Sequence, residues 1–449
     1  MQSINPYTGE IVFTHQQLSI EEVKIEIIKS KHAYIDWRQT ELNERRYLMY
    51  KLAKVLEKNK QSWGEIITLE MGKPITQAIA EIEKCAWVCR YYADEAPKQL
   101  ADKPIKTDAT QSYVKYEPLG VILGVMPWNY PFWQVFRFAV PTIMAGNTAL
   151  LKHASNVMQS AKNIQHAFEL AGFPKNVFTS LIIGSDKVEA IIRHPYIKGV
   201  SLTGSKPAGA AVASTAAQEI KPSLLELGGS NALVVFEDCV MEETVKTCVN
   251  ARFQNTGQSC IAGKRLLIHE TIADEFLNRM AKATKELISG DPLNKETYLG
   301  TMVSSQAAEE LNDQLQRSLA KGAKIVTGGN YNNAYFEPTI VKNVNKDMSI
   351  FQEETFGPLL ACTTFNSDDE AVALVNESEF GLGVSLFTNN QKRIEELIPR
   401  FEDGAVFVNE LVKSDPRLPF GGTKISGYGR ELSLEGIRAF VNTKTVYIK

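Results

Sequence analysis

Cys260 closes the run Asn255-Thr256-Gly257-Gln258-Ser259-Cys260, and a separate run upstream, Glu226-Leu227-Gly228-Gly229, sets a carboxylate beside two glycines. A thiolate attacks electrophilic carbon and a carboxylate can take a proton, so the pair points to covalent catalysis. Either residue alone carries little. A free cysteine is most often a small buried hydrophobe, and a lone glutamate is most often solvated surface. A third run shifts that balance: Met126-Pro127-Trp128-Asn129-Tyr130-Pro131 fixes one amide between two prolines and aromatic rings, a rigid seat for a hydrogen-bond donor. At a free pKa near ~8.5 only a few per cent of a thiol is ionised at neutral pH, so a helix N-terminus or a nearby positive charge is expected to assist Cys260.

The elements that must hold these runs are legible in the hydrophobic period. From about Ile20 to Leu100 apolar residues recur at helical spacing (Val23, Ile27, Ile28; Leu48, Leu52, Val55, Leu56; Ile79, Ile82, Ala86), which predicts long amphipathic helices. Around Ser112 to Tyr116 the pattern switches to alternation, which predicts a strand with one wet face. Between Gly120 and Phe236 short apolar runs alternate with helical segments: Val121 to Val125, Thr148 to Leu151, Val177 to Ile183, Gly199 to Leu202 and Ala232 to Phe236. That alternation predicts an α/β fold with a parallel sheet, the architecture of nucleotide-binding domains. No Gly-x-Gly-x-x-Gly follows any of these strands. In its place Thr203-Gly204-Ser205 ends a strand and opens an Ala-rich helix over Ala208 to Gln218, where backbone N–H groups and the helix dipole could hold a pyrophosphate. A second α/β pattern runs from about Ser230 to Arg430 and carries Cys260 near its start.

With 449 residues, 44% hydrophobic and 22% charged, the chain can bury enough core for two or three domains. Its net charge of −3 lacks the footprint of nucleic-acid or anionic-membrane binding, so small-molecule chemistry is the expectation. Met1 to Glu10 shows no charged-then-apolar leader, which predicts a cytoplasmic protein. The apolar stretch from Gly120 to Leu151 is broken by Pro127, Asn129, Pro131, Arg137 and Pro141, and reads as buried strand, turn and helix rather than a membrane span. Six cysteines in such a chain predict reduced thiols. Cys85 and Cys89 stand one helical turn apart, but no second Cys or His pair follows at metal spacing, so no metal is expected.

Taken together, the cysteine, glutamate and asparagine runs resemble those of the aldehyde dehydrogenase superfamily, and the resemblance extends nearly end to end. It implies two Rossmann-like parallel α/β domains with a β extension for oligomerisation: an NAD(P)-binding domain over 1–101 and 119–228, a catalytic domain over 229–430, and oligomerisation strands at 102–118 and 431–449. It also implies roles for residues: Cys260 as nucleophile, Glu226 as the base that hydrolyses a thioester, and Asn129 as an oxyanion donor together with the Cys260 N–H. Trp128, Lys152, Thr203, Gly204, Ser205, Glu354 and Phe356 fall where such proteins bind the dinucleotide. Ser155 stands where relatives that prefer NAD often carry glutamate, so NADP should be accepted beside NAD. Arg137, eight residues after Asn129, matches an arginine that binds substrate carboxylate in succinate-semialdehyde dehydrogenases, although an internal carboxylate could claim it instead. Gln254 stands where some of that group carry a second arginine. Trp133 and Phe253 are expected to line an aldehyde tunnel, and Asp415 to lie on a loop over its mouth, where it would disfavour a carboxylate unless paired. The resemblance is closest to a short bacterial branch of that group. It implies a homodimer or homotetramer acting on a small aldehyde, succinate semialdehyde first. The alternatives are a broad aliphatic or aromatic aldehyde dehydrogenase, a CoA-acylating enzyme, or a non-catalytic homologue.

Overall fold

A computed structural model describes residues 1–449. The predicted helical region forms three helices, Ile20–Trp37, Leu42–Met71 and Ile75–Gln99. The first starts at Ser19, whose hydroxyl accepts from the Glu22 N–H while the Glu22 carboxylate accepts from the Ser19 N–H, a reciprocal capping box. Its buried stripe, Val23, Ile27, Ser30, Tyr34 and Trp37, keeps the three-to-four spacing that faces a core. The second ends at Gly72, whose φ of 78° is the left-handed conformation that glycine adopts without a Cβ penalty.

Two largely parallel sheets follow. The first has the order Gly427–Tyr428, Ser223–Glu226, Ile197–Thr203, Val121–Met126, Thr148–His153 and Phe178–Leu181, with only the Gly427–Tyr428 edge antiparallel. The second has seven strands, with Gly263–His269 at its centre between Leu359–Phe365 and Asn231–Val235, and an antiparallel edge at Lys324–Thr327. Near-continuous burial of the inner strands, such as all six residues of Thr148–His153, is what helices on both faces of a parallel sheet require. A third, antiparallel sheet pairs Gln111–Pro118 along its whole length with Val441–Ile448. Tyr447 and Ile448 remain about half exposed on it, at 51% and 46%.

One stretch departs from the expected division of the chain. Residues from Gly427 to Phe440 return to the first sheet rather than splitting between the nucleophile domain and the tail. Gly427–Tyr428 extends that sheet, and Leu432, Ile437 and Phe440 pack into the core beneath the long helices. Cys85 and Cys89 are buried in that same core. No helix is long and apolar enough to cross a membrane.

Parallel strands place their carboxyl ends along one edge, and a ligand crevice forms there in open α/β sheets. Four strands of the first sheet end at Met126, His153, Thr203 and Glu226. The Pro-Trp-Asn turn, Lys152, the Thr-Gly-Ser turn and the candidate base therefore lie along a single edge.

Candidate active site

The candidate nucleophile, Cys260, sits on a turn whose backbone is held under strain. After the Met241–Phe253 helix, Asn255, Thr256 and Gly257 have φ of 55°, 54° and 70°, three left-handed residues in succession. For the two that are not glycine this costs on the order of 1–2 kcal/mol each, so neighbours must enforce it. They do. The Asn255 N–H donates to Gln77 Oε1 at 2.7 Å, and Asn255 Nδ2 donates to the main-chain oxygens of Asn129 (2.9 Å) and Gln258 (3.0 Å). Asn129 Nδ2 donates to that same Gln258 oxygen at 3.0 Å, which ties the Pro-Trp-Asn turn to the cysteine turn. Lys264, fully buried at the head of its strand, donates to the Ser259 oxygen (2.7 Å), the Cys260 oxygen (2.9 Å) and Glu354 Oε1 (3.1 Å). Gly229 must lack a side chain because a Cβ there would lie 2.6 Å from the Cys260 oxygen.

This geometry leaves donors free where an oxyanion would form. The Cys260 N–H makes no hydrogen bond within the protein, and Asn129 Nδ2 keeps its second proton. Activation of the thiol differs from expectation in one respect: Cys260 follows a turn and heads no helix, so no helix dipole assists it. Burial pushes the thiol pKa up. Arg137 and Lys264 oppose that rise, while Glu354 and Glu226 add to it.

Glu226 ends its strand fully enclosed, with neither carboxylate oxygen hydrogen-bonded. Burial drives its pKa well above the usual carboxylate range and the nearby Glu431 charge adds to this, with Arg137 and Arg430 pulling the other way. The Arg137 expectation needs correction here. Its guanidinium is almost fully buried, pairs through Nε with Glu431, donates from Nη2 to Thr203 Oγ1 at 3.2 Å, and stacks 4.5 Å from the Phe420 ring centroid. A carboxylate in the core needs a cation, and Glu431 has already taken this one; only Nη1 has no partner in the protein. Replacing Arg137 with methionine is therefore expected to cost about 3–5 kcal/mol of stability, because two buried carboxylates lose their shared cation. Urea melts of Arg137→Met against the double variant with Glu431→Gln check this, with part of the loss recovered in the double variant.

Two cavities meet at Cys260. One, about 310 Å³, is lined by Lys84, Tyr130, Trp133, Arg137, Gln254, Ser414 and Phe420 among others. The second, about 200 Å³, is lined by Trp128, Asn129, Thr203, Gly204, Ser205, Glu354 and Phe356 among others. They share Cys260 and Gln134. In the second, Trp128 and Phe356 meet edge to face at 5.7 Å, and Ser205 heads the Lys206–Gln218 helix without a side-chain cap, leaving its first N–H groups to a ligand. Glu354 Oε1 also accepts from the Gly229 N–H at 3.1 Å, which aims the carboxylate along this wall. A planar ring beside sulfur, a carboxylate for ribose hydroxyls and a helix start for pyrophosphate together fit a nicotinamide dinucleotide. Farther along the strand edge, Lys152 is buried, and loss of water lowers its pKa while Asp186 opposes the shift. Ser155 is exposed just beyond it.

The expected substrate-side residues divide. Trp133 and Gln254 line the first cavity. Phe253 does not: its side chain is wholly buried in the apolar core behind the second sheet, because the helix ends there and the chain turns before Gln254. Asp415 is nearly buried and is bound by Arg417, Nη2 to Oδ2 at 2.6 Å, so its charge is already met.

Sequence reasoning missed Glu431, Lys264 and a buried pair formed by Lys73, just before the third helix, and Glu81 on it. Glu81 Oε1 accepts from the N–H groups of Phe132 and Trp133 at 2.8 and 2.9 Å, anchoring the first turn of the Trp133–Met144 helix, while its other oxygen pairs with buried Lys73. In sequence these look like ordinary exposed charges. Only Arg430-Glu431, beside a glycine-rich stretch, offered a signal.

The chain is matched over residues 1–446 by the model of the aldehyde dehydrogenase family. A probable succinate-semialdehyde dehydrogenase (NADP+) of Synechocystis is 45% identical over 449 residues, covering 99% of both chains. A succinate-semialdehyde dehydrogenase (NADP+) of Mycobacterium avium is 43% identical over 453 residues, covering 99% of this chain and 96% of that one. Among solved structures, succinic semialdehyde dehydrogenase from Streptococcus pyogenes, in complex with NADP+, superposes with a TM-score of 0.97 at 35% identity, covering 100% and 99%. A likeness this complete in sequence and in fold means that the chain belongs to the aldehyde dehydrogenase family.

Proposed function

We propose that this protein oxidises a short semialdehyde, succinate semialdehyde first, to the carboxylic acid with NADP+ as the preferred cofactor and NAD+ as an accepted one. The observation that carries the reading is the meeting of two cavities at one thiol, with unpartnered N–H donors beside it. Cys260 sulfur adds to the aldehyde carbon, and the new oxyanion is received by the Cys260 N–H and Asn129 Nδ2, donors worth roughly 2.7–4 kcal/mol each in such sites. When bound, the nicotinamide supplies a hydride acceptor. Glu226, rotating toward the sulfur, takes a proton from the water that cleaves the acyl-cysteine, which favours the acid over a CoA thioester as product. Trp128, Phe356 and Glu354 hold the nicotinamide end, Thr203 to Ser205 the pyrophosphate, and Lys152 the adenosine ribose. The substrate and cofactor in the names of the relatives support the same choice.

Steady-state rates of the wild-type protein with succinate semialdehyde, glutarate semialdehyde, butanal and benzaldehyde, each with NAD+ and NADP+, test this. The highest kcat/KM is expected for succinate semialdehyde with NADP+. Equal values for butanal would end the substrate assignment, and no cofactor reduction with any aldehyde would end the enzymatic one. Ser155→Glu is expected to lower kcat/KM for NADP+ by roughly 10- to 100-fold with a much smaller change for NAD+, because a carboxylate there repels a 2′-phosphate. The reading includes a cytoplasmic homodimer or homotetramer joined through the Gln111–Pro118 and Val441–Ile448 ribbon, whose outer edge otherwise stays unpaired. Sedimentation velocity checks the assembly.

A further inference from the structure

The cavity that leads to Cys260 from the substrate side contains one charge without a counter-ion. Of the four charged side chains on its wall, Glu81 is bound by Lys73, Arg137 by Glu431, and Lys413 by Glu410 at 2.7 Å. Asp415, just beyond, is bound by Arg417. The fourth, Lys84, has no carboxylate within ion-pair distance. It is half-buried, its ammonium lies 4.2 Å from the Trp133 ring centroid, and its sole hydrogen bond runs to Ser414 Oγ at 3.0 Å.

Ser414 sharpens the point. Its Oγ also accepts from Trp133 Nε1 at 2.8 Å, so both lone pairs are used and its own proton has no acceptor in the protein. Two remaining N–H bonds of Lys84, the Ser414 O–H and the unused Nη1 edge of Arg137 thus border one cavity, and all are donors. Donors that line a cavity without an acceptor in the protein are complemented by a carboxylate oxygen pair. The Trp133 face holds the ammonium in place.

We propose that Lys84, assisted by Ser414, is the specificity-determining residue that receives the far carboxylate of the substrate, in the place first expected of Arg137. This rests on the semialdehyde reading above and deepens it. Arg137 contributes one N–H edge at most; the uncompensated charge belongs to Lys84. Burial lowers the Lys84 pKa to about 8. Arg137 adds to that shift, while Cys85 and Glu81 on its own helix and Asp415 on the facing loop oppose it. The proton is therefore lost within an accessible range. In the wild-type protein kcat/KM for succinate semialdehyde is expected to fall above about pH 8 relative to that for butanal, which needs no cation.

The test is the ratio of kcat/KM for succinate semialdehyde to that for butanal, measured in the wild type, Lys84→Met and Lys84→Arg. The ratio is expected to fall by roughly 10- to 100-fold in Lys84→Met, the effect of losing one charge-assisted hydrogen bond, and to recover in large part in Lys84→Arg, with the alkaline fall shifted to higher pH. A high wild-type ratio that survives Lys84→Met within twofold overturns the Lys84 assignment alone. A wild-type ratio near one overturns the semialdehyde reading and this assignment with it. If Lys84→Met does not fold, the wild-type pH profile decides: parallel profiles for the two aldehydes overturn the assignment.

Discussion

Alanine at position 260 is expected to lower steady-state cofactor reduction by about four orders of magnitude or more, since the covalent route has no second nucleophile to fall back on. Cys85, Cys89, Cys248 and Cys362 are buried, and Cys239 packs against a different core, so none can reach the cavities. Dinucleotide affinity should change little in Cys260→Ala, because the groups assigned to the cofactor come from other segments. Quenching of tryptophan emission on titration with NADPH would report that affinity through Trp128. Retention of even a tenth of the wild-type turnover would remove Cys260 from its assigned role.

Glu226→Gln should separate the two halves of the reaction. Acylation does not call on the carboxylate, so a pre-steady-state burst near one equivalent of reduced cofactor is expected to remain, while steady turnover drops by roughly 100- to 10,000-fold. A burst that disappears together with turnover would place Glu226 in the first half instead. Stability should move in the opposite direction. The native state holds the Glu226 proton more tightly than the unfolded chain does, since burial raises the folded pKa. Wild-type stability therefore falls as pH climbs from the ordinary carboxylate range through that raised value. The neutral amide escapes this loss. The Tm of Glu226→Gln should exceed that of the wild type, by a margin that widens with pH over the same range.

Much of this was legible before any coordinates. The helical stripes over Ile20 to Leu100 and the short apolar runs from Val121 to Phe236 match observed elements within a few residues, because both reflect a local period that burial enforces. Cys260, Glu226 and Asn129 could be singled out because each sits in a run whose glycines or prolines make sense only if backbone approaches backbone. What stayed hidden was pairing across distance. Arg137 and Glu431 lie in separate segments, and no spacing rule links them; an arginine among aromatic residues says that a carboxylate is needed but not which one. Phe253 was misassigned because it adjoins Gln254, which does face the cavity, and a single residue of helix rotation sends its ring into the core. Lys84 was passed over for a related reason. In Glu81-Ile82-Glu83-Lys84 it reads as one charge in a solvated pattern, and only the packing of Trp133 and Ser414 around it reveals an enclosed ammonium.

The narrow overlap between the two cavities, confined to Cys260 and Gln134, has a bearing on how this enzyme can be re-engineered. Residues proposed to discriminate among aldehydes and residues proposed to discriminate between dinucleotides occupy different walls, joined through the Arg137–Thr203 hydrogen bond rather than through the positions that would be varied. Free-energy changes at such separated positions sum nearly independently. A library built at Trp133, Gln254 and Ser414 can thus be crossed with one at Lys152 and Ser155 without rescreening every combination, and selectivity on either side becomes a dial that turns alone.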